Sequence, residues 1–176
     1  AWGVHYLDLT LYCLGDPTPL TCSGEAYCKL GKDMKNYTYT GMWAEDSSDK
    51  ENGTYDVDDF VTGFIRTTGA NITLNGAWAQ NIGQSETFVD FMGTKAGVRL
   101  YYGGKFTMYS TMNGMLTEIK TDFKTTGFDY FAEIKAFVES VETRVPNQAN
   151  IDKAIITSKL LDAIYTSSEN HKEVTL

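Results

Sequence analysis

The feature that most constrains this fold is the spacing of turn signals between residues 57 and 121. Thr68-Gly69-Ala70-Asn71 separates two runs rich in β-branched and aromatic residues, Val57 to Thr67 and Ile72 to Gln80. Thr94-Lys95-Ala96-Gly97 separates Thr87 to Gly93 from Val98 to Tyr102, and Gly103-Gly104 leads into Lys105 to Thr111. A further strand is read over 115 to 121. Runs of this kind, bounded by turn residues, read as strands. Their short connections force antiparallel pairing, because a parallel partner needs a crossover of ~12 residues or more. Alternation predicts Phe60, Thr62 and Phe64 on one face, with Val61 and Ile65 on the other. In the next strand Ile72, Leu74 and Trp78 share a face.

Helices flank this meander. The first is read from the start of the chain to Gly15, with Pro17 beyond it in the usual order. Val4, Leu7, Leu11 and Leu14 form one stripe at helical spacing, and His5, Asp8 and Tyr12 form another. Residues 19 to 29 alternate weakly and read as a strand. From Gly31 to Tyr55 the chain turns polar, and Glu45 to Gly53 is an acidic surface loop. Later, Phe131, Ile134, Val138 and Val141 make a helical stripe closed by Arg144 and Pro146. A last helix begins at Asn150-Ile151-Asp152, with Ile151, Ile155, Leu161, Ile164 and Tyr165 read as inward, and Lys172 to Leu176 adds a short strand. The fold class expected is α+β: an open, mainly antiparallel sheet with helices packed on one face. Strand residues look apolar on both faces, so the uncovered face is expected to mediate self-association as a homodimer or tetramer.

Composition narrows the function classes. The 176 residues suit one domain, 1–176. A formal net charge of -8 repels phosphate backbones and anionic lipid, so neither nucleic acid nor membrane is an expected partner. No apolar run approaches the ~20 residues a bilayer span needs. Ala1-Trp2 leads straight into a structured segment, so no signal peptide is read and a cytoplasmic location is expected. Cys13, Cys22 and Cys28 are odd in number, and Cys22 and Cys28 are too far apart for a C-x-x-C knuckle. With the two histidines at opposite ends, no metal site is expected. Buried or half-buried thiols in a reducing compartment are the plain reading. Sequons begin at Asn36, Asn52 and Asn71 and matter only in a secreted protein; a secreted glycan-binding domain would need Cys22 and Cys28 to form a disulfide.

Three stretches in order carry a resemblance. They are Gly3-Val4-His5-Tyr6-Leu7-Asp8-Leu9 with Leu14-Gly15; Asp56-Val57-Asp58-Asp59-Phe60, Trp78-Ala79-Gln80 and Phe91-Met92-Gly93-Thr94-Lys95-Ala96-Gly97; and Leu160-Leu161-Asp162-Ala163-Ile164-Tyr165 with Lys172-Glu173-Val174. Together they resemble the C-terminal domain of the Gfo/Idh/MocA oxidoreductases. The resemblance implies the C-terminal-domain fold of dihydrodipicolinate-reductase-like and glucose–fructose-oxidoreductase-like enzymes. It also implies a full-length enzyme that uses NAD or NADP to oxidise a hydroxyl of a sugar, polyol or cyclitol. The N-terminal Rossmann domain of such an enzyme is expected to lie outside these residues. No G-x-G-x-x-G follows a strand here, so the chain is not expected to bind a dinucleotide, and alone it is expected to be inactive. Many members carry an aspartate four positions before the histidine, where this sequence has Ala1.

His5 is the candidate catalytic residue. Oxidising an alcohol requires a proton acceptor with a pKa near neutrality, and an ordinary imidazole, at ~6.5, fits. A helix N-terminus disfavours a neighbouring cation, which suits a ring that must accept a proton. His5 and Trp2 are the candidate substrate contacts. By spacing alone, His5 could simply pack at the helix start, Trp2 could simply pack on a core, and Asp8 could orient or charge-stabilise the ring. His171 lies in a polar tail and is read as solvated. Asp58 and Asp59 are adjacent, so as strand residues they would point to opposite faces; turn or capping roles suit them better than paired-carboxylate chemistry. The competing reading is a non-catalytic ligand-binding or homo-oligomerisation module.

Overall fold

The computed structural model describes residues 2–33, 53–84, 86–101, 104–121 and 130–176, and of Trp2 only the helical backbone. Within these, the element order is α1 (Trp2–Cys13), β1 (Pro19–Tyr27), β2 (Phe60–Thr67), β3 (Ile72–Ala77), β4 (Phe88–Met92), β5 (Ala96–Tyr101), β6 (Phe106–Met112), β7 (Met115–Thr121), α2 (Tyr130–Thr143), α3 (Ile151–Asn170) and β8 (Val174–Thr175). A single 3-10 turn, Gly31–Asp33, follows β1. The α+β class stands, and every strand pairing among the described residues is antiparallel. The strands read as one meander divide into two four-stranded sheets, β3-β2-β1-β8 and β4-β5-β6-β7. They belong to two compact units, residues 1–82 with 151–176, and residues 83–150. The acidic loop expected at 45–53 lies, but for Gly53, outside the described residues.

In the first unit the sheet buries one face. Cys22 pairs with Ile65, Gly24 with Gly63, and Ile65 with Ile72, which aligns these residues on one side of the pleat. They meet Leu7 and Leu11 of α1 and Leu160, Ala163 and Ile164 of α3 in a dry core. Gly24 is required where α3 crosses: a Cβ there would sit 2.9 Å from both Ile164 Cγ2 and the Thr62 carbonyl. The stripe predicted for α1 holds, with Leu7 and Leu11 buried and Val4 and Leu14 half-buried. The helix stops at Cys13, and the turn after it runs through Gly15, whose φ of +80° suits glycine.

Two sequence expectations change. Trp78 lies beyond β3, which stops at Ala77 because the Trp78 and Ala79 N–H groups both turn to the Asp59 carbonyl. In α3, Ile151, Ile155 and Tyr165 are exposed; the buried line is Thr157, Leu160, Ala163, Ile164 and Ser167. Two hydroxyl residues occupy inward positions because each finds partners there. Ser167 Oγ accepts from the Gly24 N–H at 3.0 Å and donates to the Lys172 carbonyl at 2.7 Å.

In the second unit, β6 and β7 close on an Asn113-Gly114 turn with φ of 52° and 75°, the two-residue form that matches strand twist. One face aligns Phe91, Val98, Met108 and Ile119, with Val89, Leu100 and Phe106 beside them. None of these is buried. The opposite face carries Asp90, Arg99, Thr107 and Lys120 in one row. There Arg99 makes two bonds to Asp90, at 2.7 and 2.6 Å, and stacks 4.1 Å over Phe88. The stripe Phe131, Ile134, Val138 and Val141 of α2 forms as a helix but is exposed along its length.

Candidate functional site

His5 is the fourth residue of α1, and it is exposed, as are Asp8 and Tyr12 on the same face. The opposite face of the helix carries Leu7 and Leu11 into the core. The sequence therefore aims His5 outward by the same periodicity that buries its neighbours. Trp2 opens the helix, and its side chain lies outside the described residues.

Asp8 is held from outside its own helix. The Thr157 hydroxyl of α3, 2% exposed as a residue, donates to Asp8 Oδ1 at 2.9 Å. Beyond the helix end, Lys153 Nζ lies 2.5 Å from Asp16 Oδ2. Residue 8 thus meets 157 and residue 16 meets 153, so α1 and α3 run in opposite senses where they touch. Sequence reasoning missed Thr157, and no local signal could have found it, since its partner stands 149 residues away.

The other end of the sheet gathers a second set of ionisable groups. Asp59, 2% exposed, accepts the Lys29 and Gly31 N–H groups on Oδ2 at 2.6 and 2.8 Å, and its own N–H donates to the Tyr27 carbonyl at 2.8 Å. Gly31 must be glycine here, because a Cβ would fall 2.2 Å from the Tyr55 ring. Tyr165 donates to Asp58 Oδ1 at 2.5 Å, and that bond, with burial behind it, pushes the phenol up to about 12. Asp58 and Asp59 therefore serve a helix tether and a turn anchor, in keeping with the non-catalytic reading of that pair.

Across the sheet from the helices, Ser23, Glu25, Thr62, Phe64, Thr73 and Glu173 border a shallow depression of about 450 Å³. Exposed His171 meets Glu25 there, Nδ1 to Oε1 at 3.4 Å, and Arg66 pairs with Glu173. Burial pushes the Cys22 thiol up to about 11, with the Glu173 carboxylate adding to the effect. Cys13 is exposed rather than buried, and all three thiols are free. Among the described residues no cluster of His, Cys, Asp and Glu could hold a metal ion, and no helix is long and apolar enough to cross a membrane.

The whole chain, residues 1–176, matches the model of the Gfo/Idh/MocA oxidoreductase family, C-terminal alpha/beta domain. The chain belongs to that family. It is 28% identical over 176 residues to the D-glucoside 3-dehydrogenase of Escherichia coli K12, covering 99% of itself and 47% of that protein. It spans about half the length of the curated relative it matches. Its fold is similar to that of the Caulobacter crescentus aldose-aldose oxidoreductase complexed with glycerol, at TM-score 0.69 and 17% identity, covering 99% of this chain and 46% of the other. It is also similar to an Agrobacterium radiobacter oxidoreductase in complex with NAD+, L-tartaric acid and magnesium, at TM-score 0.65 and 17% identity, covering 99% and 48%. The family is that of an oxidoreductase, and the matched part is its C-terminal domain.

Proposed function

We propose that residues 1–176 form a single substrate-binding and oligomerisation domain of a longer NAD(P)-dependent enzyme that oxidises a hydroxyl of a sugar, polyol or cyclitol. The family and the glucoside dehydrogenase relative support the reaction and the substrate class. A nicotinamide cofactor supplies the hydride acceptor in such a reaction. Every described strand pair is antiparallel, and a dinucleotide crevice of the βαβ kind needs parallel strands, which supports placing the main cofactor cradle in another part of the enzyme. This chain contributes the proton acceptor and part of the substrate pocket. The observation that carries the reading is His5, exposed near the start of a helix whose other face is locked into the core.

In this reading His5 takes the hydroxyl proton as the alcohol becomes a carbonyl, and Trp2 borders the substrate. The chain alone is expected to be inactive. Self-association through a sheet face is supported by the unburied apolar row Phe91, Val98, Met108 and Ile119. Three free thiols accord with a reducing, cytoplasmic setting. The test is to express the full reading frame, screen sugars and polyols for cofactor reduction, and repeat with His5→Ala. Loss of a general base should lower kcat by about 10² to 10⁴. Turnover equal to the parent would remove His5 from the mechanism.

A further inference from the structure

Burial alone does not aim α1. Leu7 and Leu11 are buried, yet Leu9, Tyr12 and Cys13 on its other faces are exposed. Hydrophobic burial is non-directional, and a helix apolar around much of its circumference can hide a comparable stripe at more than one rotation. A shift of one residue turns the helix by about 100°. It would carry His5 with it.

Two directional contacts with α3 bear on the rotation. One is the bond from buried Thr157 to Asp8, in the middle of α1. The other is Lys153 on Asp16, just past the C-terminal end. Asp16 moves with the helix, because its N–H donates to the Leu11 carbonyl at 2.8 Å. Hydrogen bonds fall away steeply with angle, so a pair spaced along the axis fixes both rotation and slide. His5 stands three positions before Asp8 on the same face, where helical side chains are neighbours.

We infer that Thr157 is a positioning residue for His5: by holding Asp8 from α3 it sets the rotation of α1 and so the direction in which the imidazole projects. This rests on the proposed role of His5. Thr157 itself is buried and acts only through Asp8 and the helix. Asp8 is therefore engaged with α3, which makes it an anchor of the helix first and a neighbour of the ring second.

The test uses the intact enzyme with Thr157→Val, which keeps the branched shape and removes the donor, and Thr157→Ser, which restores it. Thr157→Val should lower kcat roughly ten- to a hundredfold, the scale of a small misplacement, with KM and Tm near the parent values. Thr157→Ser should recover kcat. Residues 1–176 hold two histidines, so ring NMR, with these two signals assigned by substitution, offers a second readout. The His5 signal should shift in Thr157→Val while His171, beside Glu25, stays put. If Thr157→Val does not fold, Lys153→Met loosens the other contact and should lower kcat in the same direction. A parent-level kcat with an unmoved His5 signal, alongside an inactive His5→Ala, overturns the positioning role and leaves the role of His5 standing. Parent-level turnover in His5→Ala overturns both.

Discussion

The two units solve the same problem differently. Each builds a four-stranded antiparallel sheet. The first packs its sheet under α1 and α3 and buries Leu7, Cys22, Ile65, Leu160 and Ile164 at 0–1% exposure. In the second, Thr107 is the one buried residue among those described. Its strands are as regular, its turns as well chosen, and its charged face is laced by Asp90 and Arg99. Pairing and turn chemistry are thus enough to draw a sheet, while a core needs a second layer. The first unit carries its layer within itself. The second presents an apolar face that gains stability only from whatever covers it.

The sharpest way to break this contrast is truncation in each sheet. Leu160→Ala should cost about 2–5 kcal/mol in chemical denaturation, the range for emptying a fully buried leucine site. Val98→Ala should cost well under that in a dilute monomer; an equal loss would mean that the second sheet has a dry interior of its own. Next in size, Val98→Glu places a charge on the apolar face. Sedimentation should show any dimer dissociating while the melting of the first unit is unchanged, and an undisturbed oligomer would point to a different contact surface.

Thiol labelling sharpens the contrast from within the first unit. Ellman's reagent should reach Cys13 in the native state and Cys22 only on unfolding, because Cys22 is buried and its thiol is held protonated to about 11. The smallest effect concerns Tyr165. Its phenol is raised in the folded state, so the bond to Asp58 stabilises fully below the ordinary tyrosine range and is lost as pH climbs through about 12. Tyr165→Phe should flatten that alkaline decline, measured as Tm against pH between ~9 and ~12. An identical slope in the variant would assign the decline to other groups.

Much of the architecture was legible because it is written locally. The α1 stripe, the alternation in β2 and the Thr68-Gly69-Ala70-Asn71 hairpin between β2 and β3 each follow from residues within one turn or one strand of each other. What escaped was set by distant partners. The inward line read for α3 left out Thr157 and Ser167, because hydroxyl residues are mostly exposed. They sit inward because Asp8, Gly24 and Lys172 meet them. Ile151 and Ile155 read as core and are exposed, since the line that faces β1 on α3 runs through Leu160 and Ile164 instead. For the candidate site, periodicity alone aimed His5 outward, whereas the contact that holds its helix could be seen only once residues 8 and 157 stood side by side.

The pairing of β8 with β1 has a consequence for biosynthesis. Val174 sits opposite Cys22, and Leu176 donates its N–H to the Leu20 carbonyl at 3.0 Å. The hairpins of the second unit close over short distances and can form while the ribosome is still at work. The first core must wait for α3 and β8, so the early leucines of α1 emerge long before their shelter exists. A nascent chain stalled ahead of residue 151 would hold those side chains in water until α3 and β8 arrive.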